Sequence, residues 1–170
     1  MTASHFPTEP ISELEIVEVE EQATIVRKVV DHPMNDMASV FDSTFTNLFP
    51  VLAPQGITPT GPALAIHHRM PTDTATFDVG MPVDRELPEA VTTEAGFSLE
   101  NSSLPAGGIA RISHIGSYDG LGEAWGKFME AVVAAGEKPA FPFWEVYVTE
   151  PSPDMDPATL RTDLVTLLEG

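Results

Sequence analysis

The chain opens on an alternating segment, Leu14-Glu15-Ile16-Val17-Glu18-Val19, and a β-branched run follows in Thr24-Ile25-Val26-Arg27-Lys28-Val29-Val30. Both patterns predict strands, and the short gap between them predicts a hairpin with Glu20-Glu21-Gln22 at the bend. After Pro33 the period changes. Met37, Phe41, Phe45, Leu48 and Leu52 recur at steps of three and four, which places them on one face of a helix. Pro54 and Gly56 stop that helix. Residues 64–69 and 76–83 predict two more strands, bounded by Gly61-Pro62, Met70-Pro71 and Pro82.

The second half repeats the order. Residues 95–103 and 108–114 predict strands around a Leu104-Pro105-Ala106-Gly107-Gly108 turn. Ser117 is placed to N-cap a helix that carries Leu121, Trp125, Phe128, Met129 and Val132 on one face. Gly136 and Pro139 end it. Residues 143–150 predict a strand, Pro151, Pro153 and Pro157 a turn, and residues 161–168 a last strand. Ile25-Val26-Arg27 matches Ile109-Ala110-Arg111, 84 residues on, and the same offset sets Phe41 against Trp125, Leu48 against Val132 and Phe49 against Val133. After the helices, Gly56 matches Gly136, which aligns Ala65 with Glu145 and His67 with Tyr147. The expectation is an α+β fold, a duplicated unit with antiparallel strands and one helix covering a sheet face in each half. A seam between two such helices is where a pocket is expected.

Composition narrows the function classes. Of 170 residues, 42% are hydrophobic and 20% charged, a globular balance, but 26 acidic against 8 basic residues give a formal net charge of −18. Such a chain repels phosphate backbones, so direct nucleic-acid binding is not expected, while cations are drawn toward any cleft. The acidity also serves solubility. With no cysteine there is no disulfide and no thiolate chemistry. No apolar run is long enough to span a bilayer and the first ten residues carry no signal-peptide pattern, so a cytoplasmic location is expected.

Among candidate chemical groups, Glu145 stands out because its strand, Phe141-Pro142-Phe143-Trp144-Glu145-Val146-Tyr147-Val148, is otherwise apolar and aromatic. Alternation puts Phe143, Glu145 and Tyr147 on one face. A carboxylate there either faces water on an edge strand or is compensated by a hydroxyl, an arginine or a cationic ligand. Carboxylate and aromatic faces together suit organic cations. Tyr118 and Trp125 are the helix residues placed to turn a polar atom toward a cavity. His67 and His68 point to opposite faces of a strand and cannot chelate one ion, and no other histidine has ligand spacing, so no metal and no cofactor are expected. Neither a Gly-x-Ser-x-Gly nucleophile motif nor a phosphate loop is present.

Several of these stretches together resemble the GyrI-like, or AraC-type effector-binding, family: Val17 to Val26, Gly61-Pro62, Val79-Gly80-Met81-Pro82-Val83, Leu104-Pro105-Ala106-Gly107-Gly108, His114-Ile115-Gly116-Ser117-Tyr118-Asp119-Gly120-Leu121, Trp144-Glu145-Val146-Tyr147-Val148-Thr149-Glu150-Pro151, and Thr162. The resemblance implies an SHS2-like tandem of βαββ-type units with two long helices flanking a ligand groove. Residues 1–12 are then a flexible lead-in and 13–168 one effector-binding domain, with halves of about 13–90 and 91–168. It implies multidrug-type binding of a small aromatic or cationic ligand by Glu145, with Tyr147, Tyr118, Trp125, His67 and Phe41 as lining. His67 stands where the family commonly has tyrosine, and the expected proline near Leu167 is missing. With no helix-turn-helix region in this sequence, the resemblance also admits a ligand sink, and a gyrase-inhibitor-like regulator with a protein partner or as a homodimer. It further admits a bacterial hydrolase opening strained cyclopropane-type compounds, with Glu145, Tyr118 and Tyr147 as acid–base groups.

Overall fold

The structure is a computed structural model that describes residues 2–149 and 154–169; Glu150, Pro151 and Pro153 of the expected strand end and turn lie outside them. Its elements run β1 (Glu15–Val19), β2 (Gln22–Pro33), α1 (Met37–Leu52), β3 (Ala63–His67), β4 (Thr74–Pro82), β5 (Val91–Thr92), β6 (Ser98–Leu104), β7 (Gly107–Ile115), α2 (Leu121–Ala134), β8 (Pro139–Tyr147) and β9 (Arg161–Leu168). This is an α+β fold of antiparallel ladders and two helices, as the alternation and helical stripes predict.

The expected hairpin does not form. β1 pairs with β7, Val17 opposite Ile109, whereas β2 pairs with β4 and β6, Thr24 lying opposite Pro82 on one side and Ser102 on the other. Glu20 and Glu21 include no glycine, asparagine or proline suited to a tight reversal, so the chain runs on into a new ladder. The strands therefore sort into two compact units that cross the midpoint of the chain. One takes the residues up to Glu20 with those from Pro105 on, the other Glu21–Leu104.

In the unit of residues 21–104, the strands follow the order β3-β4-β2-β6-β5. Their core under α1 holds Ile25, Leu48, Leu52, Ile57, Val83, Leu87 and Leu99. The buried stripe of α1 is Val40, Thr44, Leu48 and Leu52; Leu48 and Leu52 are as the sequence predicts, while Val40 and Thr44 take the places expected for Phe41 and Phe45. Thr44 occupies a core position because its hydroxyl donates to Val40 O at 2.6 Å, which satisfies it internally. Phe41 and Phe45 consequently sit half-buried on the flank.

The second unit orders its strands β1-β7-β9-β8. Under α2 lie Phe128, Val132, Ala110, Leu164 and Leu168, with Leu14, Ile112, Leu121, Trp125 and Met129 at the margin. The 84-residue offset holds for the helices: Thr44 and Phe128 are both buried, as are Leu48 and Val132, while Phe49 and Val133 are both exposed. It fails by one residue for the strands. Ile25 packs beneath α1, but beneath α2 the packed residue is Ala110, not Ile109. Arg27 and Arg111 therefore match in letters and not in orientation. Arg27 lies over the Phe97 ring at 4.1 Å on the helix side; Arg111 points to the opposite face, where its Nε donates to Glu15 Oε2 at 2.7 Å.

That opposite face is covered by the chain's own beginning, expected as a flexible lead-in. Buried Arg111 donates to Ser4 O at 2.6 Å, and buried Arg161 donates to Pro7 O, Thr8 O and Glu9 O at 2.8–3.1 Å. Arg161 also forks onto Asp163 with bonds of 3.0 and 2.9 Å. Ile11 N donates to Ser113 Oγ at 2.8 Å, and the His5 ring packs 6.3 Å from that of buried Trp144. The backbone carbonyls of an extended segment are thus satisfied by guanidinium groups that are themselves paired.

Candidate functional site

β8 carries the candidate carboxylate. Trp144 and Val146 turn toward the covered face, and Phe143, Glu145 and Tyr147 toward α2, as strand alternation requires. Glu145 is half-buried, not turned to bulk water as an edge-strand residue would be. Trp125 Nε1 donates to its Oε2 at 2.7 Å and the Tyr147 hydroxyl to its Oε1 at 2.6 Å. Both oxygens are therefore held by neutral donors, and among the described residues no basic side chain forms an ion pair with Glu145. The carboxylate is fixed in position but its charge is not neutralised.

Aromatic rings surround that charge. The Trp125 ring lies 4.8 Å from Phe143 and 5.5 Å from Phe128, and Tyr118 meets Tyr147 edge-to-face at 6.0 Å. Burial, then the Glu145 charge, then the hydrogen bond to it push the Tyr147 phenol well above its usual range. Burial and then Glu145 raise Tyr118 as well. Both phenols stay protonated at neutral pH, so Tyr147 remains a donor to the carboxylate.

Tyr118 belongs to a short 3-10 turn, Tyr118–Gly120, that leads into α2. Ser117 occupies the cap position but its hydroxyl makes no capping bond, contrary to the sequence expectation. The reversal is made instead at Gly116, whose φ of 146° lies where a side chain is disfavoured. His114 Nε2 reaches Ser117 O at 3.1 Å and steadies the turn. Sequence reasoning missed this role for His114, and also missed Phe143 as a wall of the site, although alternation had put Phe143 on the right face.

Glu145, Tyr147, Trp125 and Tyr118 are thus brought together in one unit. His67 and Phe41 belong to the other, where both pack on Phe77: His67, buried on β3, stacks at 5.5 Å, and Phe41 meets the ring edge-on at 6.2 Å. Among the described residues no group of three or more His, Asp or Glu side chains is placed to hold a metal ion, and no helix is long and apolar enough to cross a membrane. A shallow cleft of about 200 Å³ opens beside α2 between Ile112, His114, Ala124, Lys127 and Phe128. It excludes Glu145 and is smaller than the roughly 300 Å³ at which small-molecule sites begin; the carboxylate cluster is the candidate by its chemistry, a positioned charge among rings.

Comparisons with known proteins bear on the family and the fold. No curated protein matches the chain. Among solved structures, the EcmrR C-terminal domain superposes with a TM-score of 0.77 at 16% identity, over 92% of this chain and 97% of that one. In the EcmrR–DNA complex the match, at 17% identity and a TM-score of 0.72, covers 92% of this chain and 57% of the regulator. A hydrolase from Listeria innocua matches at 0.64 with 10% identity over 95% and 94%. SAV2435 bound to tetraphenylphosphonium matches at 0.65 with 10% identity over 93% and 94%. The superpositions show a shared fold, and at these identities the fold alone. The family profile of the GyrI-like small molecule binding domain matches residues 12–168, and the chain belongs to that family.

Proposed function

We propose that this domain binds hydrophobic, cationic aromatic compounds at Glu145, as a sensor or sequestering protein of the cytoplasm. The observation that carries the reading is a positioned carboxylate with two neutral donors, no basic partner among the described residues, and Trp125, Tyr147, Tyr118 and Phe143 around it. An organic cation meets there both a charge and ring faces, and the net charge of −18 steers it in. That SAV2435, of the same fold, was solved with an organic phosphonium supports the reading. The same acidity disfavours direct contact of this domain with nucleic acid.

Two unit charges about 4 Å apart at an effective dielectric constant near 20 attract by roughly 4 kcal/mol before desolvation. A quaternary ammonium has no N–H to donate, so the net gain is that attraction and the ring contact less the desolvation cost, about 1.4 kcal/mol or more. Calorimetric titration with benzyltrimethylammonium and its uncharged carbon isostere neopentylbenzene tests this. The cation should bind at least tenfold tighter; equal affinity rejects the reading. The hydrolase alternative draws support from the protonated phenols beside a carboxylate. Each Glu145 oxygen accepts one bond and keeps a second lone pair for a water proton, so the carboxylate retains the capacity of a general base and turnover measurements separate this reading from binding.

A further inference from the structure

We infer that the ligand of this site is elongated, with its charge at Glu145 and an aromatic tail running along β8 to Phe141, which acts as the length-determining residue. This rests on the cation reading above and adds a subsite to it. The pairing of β8 with β9 is irregular between Ala140 and Phe143, so Phe141 and Pro142 have no opposite partner in the ladder. The displaced Phe141 ring is 50% exposed, yet it lies only 5.7 Å from Phe143, which in turn lies 4.8 Å from Trp125. A continuous row of rings therefore leads from the indole that touches the carboxylate out to an exposed phenyl.

The row extends in one direction. At the Tyr147 end the next ring is Tyr118, a phenol on the turn into α2 whose neighbours Ser117 and Asp119 are polar. At the other end the row is purely apolar. Phe141 lies four positions before Glu145, at most about 13 Å of strand. A cationic head at Glu145 with one ring against Trp125 would leave Phe141 uncovered, and a second para-linked ring reaches it. Water gains nothing from a half-exposed phenylalanine, whereas a ligand ring stacked on it would.

The test uses one-ring and two-ring cations with the same head, benzyltrimethylammonium and (biphenyl-4-ylmethyl)trimethylammonium, titrated into the full chain and into Phe141→Ala. In the native chain the second ring should raise affinity about three- to tenfold, the range of one aromatic pairing. Phe141→Ala should remove that gain and cost the one-ring cation far less. Phe141→Leu, which keeps the site apolar, guards against misfolding of the alanine variant and should also lose most of the gain. If the second-ring gain survives both substitutions while the cations still bind, the tail subsite is wrong and the Glu145 reading stands. If neither cation binds the native chain, both fall.

Discussion

Tyr147→Phe deletes one oxygen atom and leaves a ring of the same shape, so its effect reports on the bond to Glu145. At 2.6 Å the contact has the length of a hydroxyl donating to an ionised carboxylate. Such bonds contribute about 1.5–3 kcal/mol when buried, and the half-buried position of Glu145 brings the expectation to roughly 1–2 kcal/mol. For a domain of this size that is a fall in Tm of about 2–8 °C. In a Glu145→Gln background the same deletion should cost only about 0.5–1 kcal/mol. There the indole can only donate, so the amide oxygen must face Trp125 and the amide nitrogen faces Tyr147, leaving a neutral bond. Urea denaturation of the four proteins measures both costs. If Tyr147→Phe costs the same in the two backgrounds within about 0.3–0.5 kcal/mol, the limit of additivity, the charge of Glu145 is not what the phenol stabilises.

Three further outcomes follow from the packing. Gly80→Ala would place a methyl group 2.0 Å from Ile25 O and 2.8 Å from Val26 Cα, both backbone atoms of β2, so the strand must move. A loss of about 3 kcal/mol or more is expected in thermal denaturation, and under 1 kcal/mol would show that β2 and β4 are not so tightly apposed. Burial, with a smaller push from Arg111, holds His5 below the ordinary histidine range. The unfolded chain then takes up a proton near pH 6.5 that the fold resists, so stability should fall as pH drops below about 6.5. His5→Gln should lack this component when urea midpoints at pH 8 and 5 are compared. Both phenols are raised, so the stability they contribute is present at neutral pH and lost only as pH rises through their folded values. Absorbance titration should find both tyrosines ionising above pH 10, and Tyr147→Phe should delete the later step.

Where a residue's neighbours along the chain decide its environment, the sequence was readable. The helical stripes and the alternation of β8 depend on local period alone, and they placed both helices, the last strand and the face shared by Phe143, Glu145 and Tyr147. Strand pairing depends on residues far apart. Nothing in Leu14 to Val30 says that β1 will seek β7 and β2 will seek β6, and the absence of turn chemistry at Glu20-Glu21 was the one available signal. The duplicated Ile-x-Arg failed for a related reason: a one-residue shift preserves the letters but turns each side chain to the other face. The docking of residues 4–11 escaped notice because it is made through backbone carbonyls, which any sequence supplies, and through Arg111 and Arg161, whose targets are not local. Glu145 was visible because a lone charge in an aromatic strand is locally anomalous; its two donors follow from the fold.

The central claim is that the charge of Glu145 selects the ligand, and the most direct measurement is the ratio of benzyltrimethylammonium to neopentylbenzene affinity in the native chain and in Glu145→Gln. The substitution keeps the shape and leaves an acceptor for Trp125 while removing the charge. The account predicts that cation affinity falls at least tenfold, about 1.4 kcal/mol or more, while the neutral compound is bound almost as before. A preference for the cation that persists unchanged in Glu145→Gln would contradict it.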